Sequence, residues 1–419
     1  MYLILGLARS GLAAAVFLQQ QGEAFVVFDD YKNDLGYPLL KECDWSRIKT
    51  VVMSPGIALS HPSPHPLVDK AFRQRCEIIT DCTLLQRFAP DKRYIGITGT
   101  NGKSTITALI THVLRACGVD AVMGGNIGVP ALELALNHDV YVLELSSFQL
   151  ERSPPFDLDV AVWTNLTEDH LAQHGTMEQY RAAKKRIFKK AVHKVISTDD
   201  AYSLKVADAF PDALRAALAD PVVHLLVDHL YLKGDHNKQN RLIAYYALKA
   251  FGLDHDTILQ GIQTFKGLKH RQQCVARFGA VTFINDSKAT SAVATEQALK
   301  AFDAIHWLVG GQDKSDGIDS LIPYFRKVKK AYVFGAARER FSRVLAVHKV
   351  NFSAYEDMDE ALTSAYEEAT REKDTTTILL SPACASFDQY KDFEARGDHF
   401  IQLIEQIKCK ESSLQMKVS

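Results

Sequence analysis

The sequence predicts an α/β protein made of three successive units, each an alternation of strands and helices. Three observations predict it. Short apolar runs recur along the whole chain and alternate with stretches of helical periodicity. Polar and glycine-rich turns follow those runs, where an open parallel sheet gathers its ligands. The 419 residues exceed one ordinary domain, and Ala89-Pro-Asp-Lys92 and Gly267-Leu-Lys-His-Arg271 read as boundaries. The expected units are residues 1–89, 90–267 and 268–419.

Composition narrows the function. A formal net charge of -1, from 49 basic and 50 acidic residues, argues against a nucleic-acid-binding surface. The seven cysteines are scattered, with no Cys-x-x-Cys pair, which suits reduced thiols in the cytosol better than a disulfide framework or a zinc site. The apolar start, Met1-Tyr-Leu-Ile-Leu-Gly-Leu, lacks a basic leader and is interrupted by Arg9-Ser10 before reaching a spanning length. The expectation is a cytoplasmic protein without membrane insertion.

In the first unit, Tyr2 to Leu5 reads as a buried strand, followed by Gly6-Leu-Ala-Arg-Ser-Gly11 and an Ala/Leu-rich helix to about Gln21. A second strand, Phe25 to Phe28, ends in Asp29-Asp30. This is a βαβ layout with an acid where dinucleotide folds hold a ribose, although Ala8 replaces the middle glycine. A Rossmann-like half with no dinucleotide fits at least as well. A third strand, Thr50 to Met53, runs into Ser54-Pro55-Gly56 at the ligand edge. A helix near Leu67 to Gln74, a strand from Glu77 to Thr80 and a helix to Phe88 complete the unit.

The second unit opens with the most informative stretch. Tyr94 to Ile97 reads as a strand, Thr98 to Gly102 as a glycine turn, and Lys103-Ser104-Thr105 as the start of a helix to about Cys117. Backbone N–H groups of such a turn and the positive helix end cradle phosphate oxygens. Lys103 then reaches the terminal phosphates and Ser104 offers a hydroxyl to Mg²⁺, which makes this an ATP site of P-loop type. The spacing departs from the general pattern, because five residues rather than four separate Gly96 from Gly102.

Gly124-Gly-Asn-Ile-Gly128 is too glycine-dense for a helix and reads as a ligand loop. Asp139 to Leu145 is an apolar strand interrupted only by Glu144, and Ser146-Ser147 follows. A carboxylate in a buried strand needs a positive group facing it, which favours Glu144 as a metal ligand over a chance surface acid. Val160 to Leu166 leads into Thr167-Glu-Asp-His170, where Glu168 and Asp169 compete with His170 for a ligand role. Met177 to Ala191 is helical in pattern and rich in lysine, a solvated face by default. Lys184, however, shares a helix face with Tyr180. The segment to about Leu232 is less informative beyond a strand near Val195 to Ser197. Lys233 to Asn240 then starts a long helix with Asn237 and Asn240 three apart, able to reach one ligand. Asp235 or Asn237 also suits a helix cap.

In the third unit, Phe278 to Ile284, Trp307 to Val309, Ala331 to Phe334 and Thr376 to Leu380 are strands alternating with helices, as in another doubly wound sheet. Asn285-Asp-Ser-Lys288, Gly310-Gly-Gln-Asp-Lys314 and Ser381-Pro-Ala-Cys-Ala-Ser386 fall at strand ends. A helix to about Lys408 follows, with a loose tail expected from Lys410.

Six of these motifs together resemble the Mur ligases, the ATP-dependent amide ligases of peptidoglycan precursor synthesis. They are Gly99-Thr-Asn-Gly-Lys-Ser-Thr105, Gly125-Asn-Ile-Gly128, Leu143-Glu-Leu-Ser-Ser-Phe-Gln149, Asn165-Leu-Thr-Glu-Asp-His170, Tyr180-Arg-Ala-Ala-Lys184 and His236-Asn-Lys-Gln-Asn240. Asn285-Asp-Ser-Lys-Ala-Thr290 and Ser381-Pro-Ala-Cys-Ala-Ser-Phe-Asp-Gln-Tyr-Lys-Asp-Phe393 resemble the branch that adds D-glutamate. The resemblance implies a Rossmann-like N-terminal, a P-loop NTPase-like central and a Rossmann-like C-terminal domain. It also implies ATP, UDP-N-acetylmuramoyl-L-alanine and D-glutamate as substrates, two Mg²⁺ sites with Mn²⁺ as a substitute, and a monomer.

By the same resemblance, Lys103, Glu144, His170 and Lys184 are catalytic, and Ser104, Glu144, His170 and Lys184 serve the metal ions, Lys184 as a carbamate. Gly99, Thr100, Asn101, Gly102, Lys103, Ser104, Thr105, Asn237, Asn240, Arg271 and Asp286 hold the nucleotide, with His270 beside it. Asp29, Ser54, Pro55 and Gly56 line the UDP pocket, while Asn126, Ser146 and His170 meet the muramoyl-alanine part. Family members often follow that acid with Thr-Arg, where this chain has Asp30-Tyr31. Lys288, Thr290, Lys314, Ser386 and Phe393 position D-glutamate, and domain closure on binding is expected. The competing readings are a sister ligase for another amino acid, a folylpolyglutamate synthetase, and a regulatory ATP-binding module.

Overall fold

Apolar strands bounded by turn residues organise the molecule into three sheets. The computed structural model describes residues 1–418 apart from 33–34, 41–43, 60–62, 227–228, 230, 233 and 314–316, with side chains up to 409. The first sheet holds β1 (Tyr2–Leu5), β2 (Phe25–Phe28), β3 (Thr50–Met53) and β4 (Glu77–Ile79), all parallel in the order β2-β1-β3-β4. The second holds β5 (Arg93–Thr98), β6 (Ala121–Gly125), β7 (Val140–Glu144), β8 (Asp157–Trp163), β9 (Lys190–Ser197) and β10 (Leu214–Ala216). Its order is β10-β9-β8-β5-β7-β6, again parallel throughout. The P-loop strand β5 therefore lies between the strand ending in Glu144 and the strand leading to His170. The third holds β11 (Gln273–Phe278), β12 (Val281–Asn285), β13 (Ile305–Gly310), β14 (Val328–Phe334), β15 (Phe352–Ala354) and β16 (Thr376–Leu380), in the order β11-β12-β16-β13-β14-β15.

The chain divides into two compact units: residues 1–229 with 235–265, and 230–234 with 266–419. The first unit contains two sheets because one apolar cluster runs through both. Ile4, Ala14 and Phe17 join Leu84, Leu132, Tyr141 and Trp163 in it, and Phe17 meets Phe88 edge to face at 5.1 Å. The third sheet has a core on each face, one around Trp307 and Phe341, the other around Phe283 and Tyr332. This two-sided burial explains its near-continuous apolar strands. Among the described residues no helix is long and apolar enough to cross a membrane. The described cysteines are free thiols.

The fold class is the expected α/β with parallel sheets. Several boundaries differ from the sequence reading. Gly124 and Gly125 end β6 rather than forming a loop, because a Cβ on Gly124 would come within 2.7 Å of Leu134 Cδ1. Glycine there marks close packing rather than a break in the strand. The helix from Met177 stops at Lys185, and a tight turn at Arg186–Phe188 feeds β9 at Lys190. Ile187 and Phe188 turn into the core, with Phe188 stacked on Trp163, and this packing overrides the helical charge pattern. The expected single strand from Phe278 to Ile284 is instead a hairpin, β11 antiparallel to β12, turning at Gly279 with φ +56°. The C-terminal helix Phe393–Val418 runs past the expected end near Lys408, through a stretch without proline or glycine. Residues 198–232 hold the helix Ala201–Asp208 and β10.

Candidate active site

The loop between β5 and the helix Lys103–Ala116 is shaped by glycines that no other residue can replace. Gly99 and Gly102 have φ of +149° and +81°. A Cβ on Gly99 would lie 1.9 Å from Thr164 Oγ1, and one on Gly102 2.4 Å from Asn240 Oδ1. Their absence lets the loop sit against its neighbours. The Thr100 N–H donates to Asn165 O at 2.9 Å and the Asn101 N–H to Asn165 Oδ1 at 2.8 Å, while Thr164 Oγ donates to Asn101 O at 2.6 Å. Asn240 Nδ2 in turn donates to Asn237 Oδ1 at 3.1 Å, so both amides of the helix Asp235–Phe251 stand at the P-loop. Lys103 folds back on the loop, with Nζ 3.1 Å from Gly99 O and 2.8 Å from Thr100 O. Thr105 lies in the first turn of the helix.

Glu144, the last residue of β7, is buried and fully engaged. Ser104 Oγ donates to its Oε2 at 2.6 Å and Asn126 Nδ2 to its Oε1 at 2.9 Å. Lys184 is 2% exposed, and its Nζ donates to Gly99 O at 2.7 Å and lies 4.6 Å from the Tyr180 ring centre. Desolvation by burial, reinforced by the nearby Lys103 charge, pulls its pKa well below the usual lysine value, against the pull of Asp169 and Glu144. The buried amine thus tends towards its neutral form. His170 opens the helix Leu171–His174 in a left-handed conformation, φ +53°, with its ring against Phe148 and Tyr180. Its side chain is 46% exposed and lies 3.5 Å from Asp169 Oδ2. Ser146 caps the helix Ser147–Arg152 in a reciprocal capping box with Gln149, a structural duty the sequence reading did not assign it.

At the first sheet, Ser54 Oγ donates to Gly6 O at 2.8 Å, and a Cβ on Gly11 would fall 1.8 Å from that same carbonyl. Asp29 accepts the N–H groups of Leu7, Tyr31 and Lys32, at 2.5, 2.9 and 3.0 Å. Burial works to raise its pKa, but these three bonds prevail and hold it below the usual carboxylate value. The acid at the end of β2 therefore ties the turns of its own sheet together. Arg152 joins this edge to the second sheet. Its Nη1 donates to Pro55 O at 2.7 Å and Nη2 to Ile57 O at 2.6 Å, fixing the loop around Gly56.

In the second unit, Asp286 is buried, accepting Ser381 Oγ at 2.8 Å and the Gln272 N–H at 3.1 Å. Burial raises its pKa to about 7, against these bonds and the Arg271 charge. The Lys288 N–H donates to His270 O at 3.0 Å, and Lys288 Nζ stands 3.8 Å from the centre of the Phe393 ring. The Thr290 N–H donates to Lys288 O at 2.8 Å, and Ser386 is buried in the turn after β16. These residues gather at the carboxyl ends of β12 and β16. Lys314 lies outside the described residues.

Two family models match the sequence: the Mur ligase middle domain over residues 97–218, and the Mur ligase, glutamate ligase domain over residues 270–384. A protein of Rhizobium meliloti (strain 1021) named UDP-N-acetylmuramoylalanine–D-glutamate ligase is 39% identical, covering 95% of this chain and 94% of its own. Its namesake from Rhodospirillum rubrum is 39% identical, covering 96% and 93%. The chain belongs to the Mur ligases. Among solved structures, UDP-N-acetylmuramate-alanine ligase MurC from Thermotoga maritima shares the fold, with a TM-score of 0.61 at 17% identity over 97% of this chain and 99% of that one.

Within this Mur ligase the sequence reading missed three residues. His174 is buried, bonded to Ser147 Oγ at 2.9 Å and stacked on Phe148 at 4.9 Å. Burial, then the charges of His170, Lys184 and Arg152, lower its pKa to about 4. Its place four residues after His170, on the same helix face, was the signal available. Arg152 and Arg396 carried no local signal, since each is a lone arginine in a helical stretch.

Proposed function

We propose that this Mur ligase adds D-glutamate to UDP-N-acetylmuramoyl-L-alanine, cleaving ATP to ADP and phosphate. The terminal carboxylate of the UDP-linked substrate attacks the γ-phosphorus, forming an acyl C–O–P linkage as ADP leaves. The amine of D-glutamate then attacks the acyl carbon, and the tetrahedral intermediate expels phosphate and loses a proton to leave the amide. ATP and a carboxylate repel one another, so charge neutralisation and alignment carry the first step. Lys103 swings from the Gly99 and Thr100 carbonyls to the phosphates, whose oxygens take the N–H groups of the loop and the helix start. Asn237 and Asn240 hold the nucleotide on its other side. Lys288, Thr290, Ser386 and Phe393, with Lys314, receive the amino acid, its carboxylates facing the lysines.

Ser104 and Glu144 offer a hydroxyl and a carboxylate oxygen 2.6 Å apart, a hard donor pair that fits Mg²⁺. Among the described residues no group of three His, Cys, Asp or Glu could hold a metal ion, so Ser104 and Glu144 would hold Mg²⁺ together with oxygens of the bound nucleotide and water. When bound, Mg²⁺ supplies charge neutralisation for the transferring phosphoryl group. The neutral Lys184 amine adds to CO₂, forming an N–C bond and releasing a proton, and the resulting carbamate anion, with His170, would hold a second metal ion. The substrates place the reaction in the cytoplasm.

The observation that carries this reading is the meeting of the P-loop, Glu144 and buried Lys184, in a chain matched over 95% of its length by a relative of that name. The test is phosphate release from ATP with UDP-N-acetylmuramoyl-L-alanine, offering D-glutamate, L-alanine, meso-diaminopimelate and L-lysine in turn.

A further inference from the structure

Arg396, in the helix Phe393–Val418, is 0% exposed. Its Nε donates to Ser287 Oγ at 3.0 Å and its Nη1 to Ala385 O at 3.2 Å. Nη2 donates to Ser287 O at 2.9 Å and Cys384 O at 3.1 Å. All four bonds go to neutral oxygens. Burial pulls its pKa down to about 10, so the guanidinium keeps its charge at neutral pH.

The partners of Arg396 lie on loops that hold the proposed amino-acid site. Ser287 precedes Lys288 in the loop after β12, and its hydroxyl donates to Phe393 O at 2.9 Å. Cys384 and Ala385 precede Ser386 in the loop after β16. The loop after β13 joins them: Gln312 and Ala385 exchange backbone bonds at 2.9 and 3.1 Å. A Cβ on Gly311, whose φ is +126°, would lie 2.4 Å from Ala385 O and 3.0 Å from Arg396 Nη1. The planar fork thus fits a node where three strands end. An ammonium group has three donors on one atom and cannot reproduce this spread of acceptors.

We propose that Arg396 is the positioning residue of the D-glutamate site: it locks Lys288 and Ser386 into one receptor edge. This rests on the reading of D-glutamate as the amino-acid substrate.

The experiment compares wild type, Arg396→Lys and Ser287→Ala by thermal melting and by KM for each of the three substrates. In Arg396→Lys the D-glutamate KM rises about 10- to 100-fold, as expected when receptor groups lose alignment, while the KM values for ATP and the UDP substrate stay within about twofold. Ser287→Ala, a smaller change that keeps the guanidinium, raises the D-glutamate KM about threefold to tenfold. It carries the test should Arg396→Lys fail to melt cooperatively. Folded variants with an unchanged D-glutamate KM, or with all three KM values raised together, overturn the proposal. Wild type that consumes a different amino acid overturns the functional reading instead, and the two failures appear in different arms.

Discussion

Lys184 in the first unit and Arg396 in the second are both buried basic side chains, at 2% and 0% exposure, and burial lowers the pKa of both, yet they end in different protonation states. Lys184 has Gly99 O as a hydrogen-bond acceptor and Lys103 as a like-charged neighbour, so desolvation pushes it towards a neutral amine. Arg396 has four acceptors spread around a delocalised ion and keeps its proton. The difference teaches which buried cation can become a nucleophile and which can only organise its surroundings. Arg152 stands between the two cases. It is buried, with two carbonyl acceptors in the 54–57 loop, while its Nε finds no partner.

The largest expected effect comes from exchanging these chemistries. Lys184→Ala lowers kcat by about 100- to 1,000-fold, the scale for losing one preorganised electrostatic group. Lys184→Arg fails as badly, because guanidinium neither loses its proton nor takes up CO₂, whereas Lys184→Glu retains more turnover. Activity of Lys184→Arg near wild type would mean that positive charge alone is needed there, erasing the contrast with Arg396. An intermediate effect is expected at Arg152. Arg152→Met removes the partners of two part-buried carbonyls and raises the KM for the UDP substrate about tenfold with kcat little changed. An unchanged KM would detach the 54–57 loop from the UDP pocket.

The smallest effect at working pH is that of His174. Its folded pKa of about 4 lies below the usual histidine value, so above pH 6.5 both folded and unfolded states are neutral and its stability contribution is complete. As pH falls through that range towards 4, the unfolded chain gains a proton that the folded chain refuses. Stability is lost, by at most about 3 kcal/mol. His174→Phe therefore melts like wild type at pH 8 and relatively higher at pH 5. Equal melting differences at both pH values would place the acid sensitivity elsewhere.

Much of this was legible in the sequence because the P-loop site is local. Gly99 to Ser104 are contiguous, and Glu144 betrays itself as a lone acid in an apolar strand. The strands β1, β2, β3 and β16 were equally plain, since period and turn chemistry agree there. What was hidden depends on distant packing. The stop of the helix at Lys185 follows from Phe188 meeting Trp163, the β11–β12 hairpin from pairing across Gly279, and β6 from glycines pressed against Leu134 and Glu144. Arg396 touches residues more than a hundred positions away, at Ser287. No periodicity in the sequence reports such a contact.

The measurement that tests the central claim most directly is ATP-dependent phosphate release with UDP-N-acetylmuramoyl-L-alanine and one amino acid at a time. The account predicts release with D-glutamate, loss of it in Lys184→Ala, and little with L-alanine, meso-diaminopimelate or L-lysine. Release that prefers any of those three, or that persists undiminished in Lys184→Ala, would contradict it.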